Sequence, residues 1–320
     1  MRKISFVWSC FVMTFFVACQ QAEVENPKAD DLRMSIVASI KGQQEMTDSR
    51  YEINQSGVPV FKKNEAIGVF FDEEPVVKWT YLSPAWSPSR DVFWPDRDEP
   101  HDIRAFSPYI EGVTSYDNIP MPLLTSQTGT MEDVIAKDFL VTAVKQTYGE
   151  DGVVSFKDDN AFTHVSSMIQ LTLTGDGDLS ASTLKRISIA CNDIVTKSTY
   201  SFTEGVILDD AQSNSLDLLL NHEMNGTDVT YYFIVNATKD GTKDNPDEAT
   251  LTIEYERDET TYEATLEQFA GNDFAEGVCQ QYTLSIKDGV LLITGADITD
   301  WKPGGSLDEI IIVKGEEKES

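Results

Sequence analysis

The residue types that most often carry catalysis or bind metals are sparse and scattered in this chain of 320 residues. The chain has 3 His and 4 Cys, and none of His101, His164 and His222 has a Cys or a second His at a spacing that suits a metal site. It also lacks the short motifs of serine hydrolases, zinc proteases, P-loop proteins and dinucleotide-binding folds. We therefore expect no enzymatic activity, no cofactor and no metal site.

Carboxylates are the one reactive side chain in excess, with 54 Asp and Glu against 25 Lys and Arg. The formal net charge of −29 excludes nucleic acid as a partner, because phosphates would be repelled over most of the surface. A glycoside hydrolase, which needs only two carboxylates in a cleft, is an alternative that motifs do not exclude. The loops with Asp176 and Asp178 and at residues 240–248 offer oxygen ligands for calcium. Neither matches the calcium-loop pattern, and solvated turns are the better interpretation.

The N-terminus predicts an exported lipoprotein. Two basic residues precede an apolar run over residues 4–18, which is short for a transmembrane helix and typical of a signal peptide. The run ends at Ala18 and Cys19, a junction that resembles the lipobox of bacterial lipoproteins. The resemblance implies that residues 1–18 are removed, that Cys19 carries lipid such as palmitate, and that residues 19–31 link this anchor to the folded body. An ordinary secretory signal with a coincidental Cys is the alternative.

Two further cysteines, Cys191 and Cys279, lie in the part of the chain that follows the signal. An exported protein can oxidise such a pair to a disulfide. Both residues also lie in apolar, strand-like sequence, where a buried thiol is common. The sequence alone leaves both interpretations open.

Alternating apolar and polar residues predict strands over most of the chain. Residues 32–40 alternate cleanly, with Met34, Ile36 and Ile40 on the apolar side. Similar runs recur at residues 67–71, 103–106, 139–144, 168–173, 187–191, 229–235, 251–255, 282–286 and 290–293. Turn residues separate these runs, and no window of a dozen residues has convincing helical periodicity. We predict an all-β protein built from β-sandwiches.

A stretch rich in Gly, Asp and Ser at residues 175–182 divides the mature chain into two portions of similar length. Each portion has the size of an ordinary domain. We predict an N-terminal β-sandwich domain over residues 32–177 and a C-terminal β-sandwich domain over residues 178–320.

The segment 79–94 is rich in aromatic residues and prolines, and it includes Trp79, Trp86 and Trp94. Exposed rings of this kind can stack on sugars. They support an alternative function for the protein, as a surface glycan-binding lipoprotein. Packing of a long loop onto the sandwich explains the same residues, and we prefer that interpretation.

Several short phrases occur in an order that resembles the fimbrillin family of Bacteroidetes lipoproteins, which are subunits and anchors of surface fimbriae. The phrases are Ile67-Gly-Val-Phe70, Phe93-Trp-Pro95, Ile103-Arg-Ala-Phe-Ser-Pro-Tyr109 and Ile298-Thr-Asp-Trp301. The resemblance spans nearly the whole mature chain. It implies two tandem transthyretin-like β-sandwich domains and a precursor that travels to the cell surface as a lipoprotein.

The same resemblance implies assembly by strand complementation. A surface protease cuts after an arginine, the first strand leaves, and a strand of a neighbouring subunit takes its place. In this sequence residues 32–40 would be the removable strand, and the cut would fall between Arg50 and Tyr51. Arg33 is an alternative cut. A permanent edge strand that is never removed is the alternative to both.

The end of the chain contains a candidate donor strand at residues 307–314. Its β-branched run is Ile310, Ile311, Ile312 and Val313. Such a run is buried on both sides in a sheet, and closure of its own sandwich is the other interpretation.

These features together predict a structural subunit, or an accessory component at the tip or anchor, of cell-surface fimbriae that mediate adhesion. The expected partners are other fimbrial subunits in a homo- or hetero-polymer, the outer membrane through the lipid anchor, and a ligand on a host or bacterial surface. The expected location is the cell outer membrane, and the fimbrium after processing.

Overall fold

The computed structural model describes residues 32–41, 51–53, 59–191, 194, 196–208, 215–236, 249–267, 269 and 274–300, with the backbone alone for 51–53, 59–60 and 298–300. These residues form 21 strands and one α-helix, so the predicted all-β class is confirmed. The predictions for Cys19, Arg50, residues 240–248 and residues 307–314 fall outside the described residues. Among the helices that the structure describes, none is long and apolar enough to cross a membrane.

The strands carry the numbers of their order in the chain. They are β1 (Ser35–Ala38), β2 (Tyr51–Ile53), β3 (Pro59–Phe61), β4 (Ala66–Phe71), β5 (Val77–Tyr81), β6 (Trp86–Pro88), β7 (His101–Ser107), β8 (Ile119–Pro120), β9 (Leu140–Gln146), β10 (Val153–Phe156), β11 (Thr163–His164), β12 (Ser166–Leu173), β13 (Thr183–Ala190), β14 (Ser198–Ser201), β15 (Gly205–Leu208), β16 (Ser215–Glu223), β17 (Val229–Asn236), β18 (Thr250–Arg257), β19 (Thr260–Leu266), β20 (Val278–Lys287) and β21 (Val290–Asp300). The helix α1 is Met131–Lys137. Short 3-10 turns occur at Asp158–Asn160 and Gly177–Leu179.

The N-terminal unit is built on an antiparallel six-stranded sheet with the order β11-β9-β7-β4-β5-β6. One face of this sheet, with Ile67 and Ile103, shares a core with the two-stranded parallel sheet β1-β10. The opposite face, with Phe70 and Phe106, packs against a smaller sheet with the order β15-β14-β8. Apolar side chains therefore cover the central sheet on both of its faces. A further hairpin pairs β2 with β3.

The C-terminal unit consists of two four-stranded sheets with the orders β17-β12-β20-β21 and β16-β13-β18-β19. Their inward side chains share one large core, the arrangement of a β-sandwich. Leu251, Ile253 and Tyr255 of β18 are buried there, on the one side of the strand that their alternation predicts. All neighbouring strands in the two sheets are antiparallel except β12 and β20, which are parallel.

Strand pairing changes partners between β11 and β12. Strand β11 pairs with β9 in the N-terminal unit, whereas β12 pairs with β17 and β20 in the C-terminal unit. The Gly- and Asp-rich stretch at residues 175–182 follows β12 and forms a loop with a 3-10 turn. The boundaries of the two domains, and their transthyretin-like topology, stay predictions.

The helix α1 lies between the two cores. Thr130 caps its first turn, because the hydroxyl of Thr130 accepts a hydrogen bond from the amide of Asp133 at 3.2 Å. Val134 is buried in the core of the C-terminal unit, and its neighbour Ile135 in the core of the N-terminal unit. With only seven residues, this helix is shorter than the window in which helical periodicity can be recognised.

Candidate functional site: the groove around the first strand

The first strand enters the N-terminal unit by pairing with the segment that follows β6. The amide of Met34 donates to the carbonyl of Val92 at 2.9 Å, and the amide of Trp94 donates to the carbonyl of Leu32 at 2.8 Å. Arg33 and Phe93 face each other across this antiparallel bridge. The backbone pairing of the predicted strand at residues 32–40 therefore begins at Leu32, before the first residue of β1.

The chain then changes partner and runs parallel to β10. Ser35 lies opposite Val153, and the register continues to the end of β1. After β1, the amide of Ser39 donates to the carbonyl of Phe156 at 2.8 Å. The last bonds of the segment join Lys41 and Ser39 to the backbone of Phe162, at 2.8 and 2.9 Å. Backbone hydrogen bonds thus hold residues 32–41 along their whole length.

Three side chains of the first strand are inserted into the core. Met34, Ile36 and Ile40 are 3–5% exposed and lie in the same cluster as Ile67 and Phe156. Burying an apolar side chain of this size contributes about 1.5–3 kcal/mol, so the three together contribute roughly 5–9 kcal/mol before the loss of chain entropy. We call the channel that they occupy the groove. Its walls are β10 and residues 92–94, and its floor is the six-stranded sheet.

Two tryptophans of the aromatic segment 79–94, Trp79 and Trp94, are buried in this core. Trp94 is 1% exposed, and its indole nitrogen donates to the carbonyl of Gly152 at 2.9 Å. The ring of Trp94 contacts that of Phe71 edge to face, with centroids 5.3 Å apart. Trp79 is also 1% exposed. Neither indole is accessible to a sugar ring, and the packing interpretation explains both of them.

The outer side of the first strand carries charges and one exposed ring. Arg33 Nη1 lies 2.9 Å from Asp91 Oδ1, and the Arg33 guanidinium lies 5.8 Å from the centre of the Phe93 ring. Both charged side chains are more than half exposed, so their ion pair contributes little to stability. The peptide bond after Arg33 leads directly into the buried, hydrogen-bonded Met34. A protease could reach this bond only after the strand had left the groove.

The three histidines lie in different surroundings. Nδ1 of His101 lies 2.6 Å from Asp72 Oδ2, next to the rings of Phe71 and Trp94. Nδ1 of His164 lies 2.8 Å from Asp138 Oδ2, and both side chains are almost fully buried.

His222 is exposed and lies beside the ring of Tyr231. Within the described part of the chain, no group of three or more His, Cys, Asp or Glu residues could hold a metal ion. Cys191 and Cys279 are both buried thiols in the core of the C-terminal unit.

Asp178 in the 175–182 loop holds protein groups. Its carboxylate accepts a hydrogen bond from the Gly289 amide at 2.7 Å and one from Arg257 Nη1 at 2.9 Å. These bonds, the first from the Gly289 amide and the second from Arg257, lower the pKa of Asp178, while partial burial opposes them. The loop is thereby tied to β18 and to the β20–β21 turn.

The chain is similar to known proteins in both sequence and fold. A family model described as fimbrillin-like matches residues 47–301 of the chain. The chain belongs to the fimbrillin-like family. This confirms the resemblance that the sequence phrases indicated. The matched region begins after the first strand and includes all of the other elements.

Two solved structures have the same fold as this fimbrillin-like chain. A candidate cell adhesion protein from Bacteroides uniformis superposes with a TM-score of 0.56 at 14% identity, over 85% of this chain and 99% of that chain. A candidate cell adhesion protein from Bacteroides ovatus superposes with a TM-score of 0.55 at 15% identity, over the same shares. No curated protein sequence matches this fimbrillin-like chain.

Shortening one inserted side chain should loosen the first strand. We expect Ile36→Ala to lower the free energy of unfolding by about 2–4 kcal/mol, because the core loses buried methyl groups and gains a cavity. The backbone amides of Ser39 and Lys41 should also exchange their hydrogens faster. Ser35→Ala is the matched control, since Ser35 lies outside the core on the same strand. Urea denaturation and hydrogen exchange measure both effects, and equal losses in the two variants would contradict the insertion of Ile36.

The Asp178 carboxylate should make stability depend on pH in the acid range. Because its pKa is lower in the folded state, the carboxylate stabilises the fold above its ordinary pKa, and the contribution is lost as the pH falls through the folded-state pKa. We expect Asp178→Asn to unfold at a lower urea concentration than wild type at pH 7, and this difference should shrink progressively as the pH falls below the ordinary Asp pKa of 3.8. A constant difference from pH 7 to pH 3 would show that the charge has no part in it.

Proposed function

We propose that this fimbrillin-like protein is a structural subunit, or a tip or anchor component, of a cell-surface fimbria. It is a non-enzymatic adhesion component that assembles with other fimbrial subunits by strand complementation. The observation that carries the proposal is the insertion of Met34, Ile36 and Ile40 into the core of the N-terminal unit from a separate N-terminal strand. A strand of this kind is replaceable by another strand with the same alternation of apolar side chains.

The pairing of the groove suits a replaceable strand. One wall pairs with the first strand in antiparallel fashion and the other in parallel fashion, so that backbone bonds form with any extended sequence. Specificity then comes from the pockets that receive alternate side chains. A donor strand needs apolar residues at every second position and tolerates polar residues between them.

Export as a lipoprotein belongs to the same proposal. Residues 1–18 act as the signal, Cys19 carries the lipid, and the protein travels to the surface of the outer membrane. A protease there cuts between Arg50 and Tyr51 and frees residues 19–50, which contain the first strand. The released subunit then binds a donor strand and joins the fimbrium. Its ligand on a host or bacterial surface would be bound by the assembled fimbria.

The cut after Arg50 is tested on protein purified from its native cell surface. We expect mass spectrometry to find a chain that begins at Tyr51. We also expect Arg50→Gln to abolish the high-mass ladders seen after partial denaturation, because the first strand then stays in its groove. Arg33→Gln is the matched control and should leave the ladders unchanged. An intact chain that begins at acylated Cys19 would rule out the cleavage.

The donor role of residues 307–314 is tested by deletion. Removal of residues 307–320 should abolish the ladders, because Ile310, Ile311, Ile312 and Val313 then cannot fill a neighbouring groove. Removal of residues 315–320 alone keeps this run and should preserve the ladders. Unchanged ladders after the longer deletion would remove the donor role. Loss of the folded protein itself would instead assign the run to closure of its own sandwich.

A further inference from the structure

The two units of the chain exchange segments with each other. In the sequence, residues 196–208 lie between β13 and β16 of the C-terminal unit. We call them the returning arm, and they contain β14 and β15. In the sequence, residues 119–137 lie between β7 and β9 of the N-terminal unit. We call them the advancing arm, and they contain β8 and α1. The returning arm packs on the N-terminal unit. Leu124 and Val134 of the advancing arm pack in the core of the C-terminal unit, so the two arms cross.

The arms are hydrogen-bonded to each other where they cross. Strand β14 pairs antiparallel with β8, with Tyr200 opposite Ile119. The pairing continues past β8, because the amide of Met121 donates to the carbonyl of Ser198 at 3.0 Å. One further bond joins the amide of Leu124 to the carbonyl of Thr196 at 2.9 Å. Separation of the two units would have to break this ladder.

The returning arm covers an apolar face of the six-stranded sheet. Tyr200 and Val206 lie opposite each other in the β14–β15 pair. Val206 is buried in the cluster that contains Phe139, and the partly buried Tyr200 packs against this cluster. The rings of Tyr200 and Phe139 have their centroids 5.9 Å apart. Burial raises the pKa of Tyr200 to about 12. The neighbouring cross-strand pair, Thr199 and Ile207, carries the exposed side chain of Ile207 and is not part of the cluster.

A polar latch holds the tip of the returning arm. Asp117 Oδ1 accepts a hydrogen bond from Ser201 Oγ at 2.7 Å and another from the Thr203 amide at 3.1 Å. The amide of Phe202 donates to the carbonyl of Tyr116 at 3.1 Å. The bond from Ser201, followed by those from Thr203, lowers the pKa of Asp117 despite its partial burial. Residues of the N-terminal unit therefore bind the arm at its tip as well as along its length.

The advancing arm is fixed to the C-terminal unit by a buried amide. Gln127 is 7% exposed, and its side chain donates to the carbonyl of Ile234 at 2.8 Å and accepts from the amide of Ile234 at 2.9 Å. The same amide group donates to the carbonyl of Leu124 within the arm. Further along the arm, Val134 of α1 is buried in the core of the C-terminal unit. This arm therefore has both polar and apolar anchors.

We infer that the crossed arms lock the two units into one cooperative mechanical body. The chain passes directly from one unit to the other between β11 and β12, and a single link of this kind would allow the units to hinge and to unfold separately. The arms add two further links with buried contacts. A pull on the two ends of the chain is then shared among three connections. This inference does not depend on polymerisation or on cleavage after Arg50.

The test measures the unfolding of each unit separately in the full chain. Hydrogen exchange at graded urea concentrations, read by mass spectrometry on peptides from β7 and β9 and from β18 and β20, gives one urea midpoint for each unit. Wild type should show the same midpoint for both. Tyr200→Ala/Val206→Ala should separate the midpoints by about 0.5 M urea or more. The matched control is Thr199→Ala/Ile207→Ala, the adjacent cross-strand pair, which should keep a single midpoint.

A second pair of variants tests the advancing arm and decides the matter if the first variant does not fold. Gln127→Ala should also separate the two midpoints. Gln146→Ala is its control, because Gln146 makes the same kind of side-chain bonds to the backbone, to Val153 and Ser155, but within the N-terminal unit. It should lower the midpoint of both units together. Two midpoints in wild type, or a single midpoint in both arm variants, would overturn the inference.

Discussion

The structure depends on a central sheet that is apolar on both faces. Strand β4 has five consecutive buried residues, and a strand of this kind is stable only if both sides of its sheet are covered. The first strand and β10 cover one face. The returning arm covers the other. The first strand precedes the run of strands that forms the sheet, and the returning arm follows it. The groove and the crossing of the arms are two solutions to the same requirement for burial.

The sequence predicts the parts of this arrangement that rest on local alternation. The period of two in residues 32–40 correctly indicates which side chains of the first strand are buried, and Asp288-Gly289 correctly indicates the tight turn between β20 and β21. Gly68 is different, because a Cβ at this position would collide with the ring of Phe106. The requirement for glycine at this position comes from Phe106 on the neighbouring strand β7, and the sequence near Gly68 gives no sign of it.

The elements that the sequence does not reveal are short and polar. Strand β14 is Ser-Thr-Tyr-Ser, and only its pairing with β8 and the ring of Phe139 make it part of a core. The sequence around Gln127 indicates a loop, yet the side-chain amide of Gln127 forms hydrogen bonds with both backbone groups of Ile234, as a neighbouring strand would. The pairing of His164 with Asp138 likewise joins residues that are distant in sequence. Contacts of this kind are set by tertiary packing, and neither propensity nor periodicity encodes them.

The two covers differ in how they can be exchanged. The returning arm is continuous with both of its neighbouring strands and is latched by Asp117, so it cannot leave without disturbing the C-terminal unit. Within residues 32–41, the first strand is held by backbone pairing, by three inserted side chains and by the exposed ion pair of Arg33 with Asp91. If it leaves, the six-stranded sheet is still covered on its other face. The uncovered face then exposes apolar surface that only another extended, alternating strand can cover well. With a net charge of −29, copies of the chain repel each other at a distance. In the proposed assembly, the free energy of association would therefore come from burial in the groove.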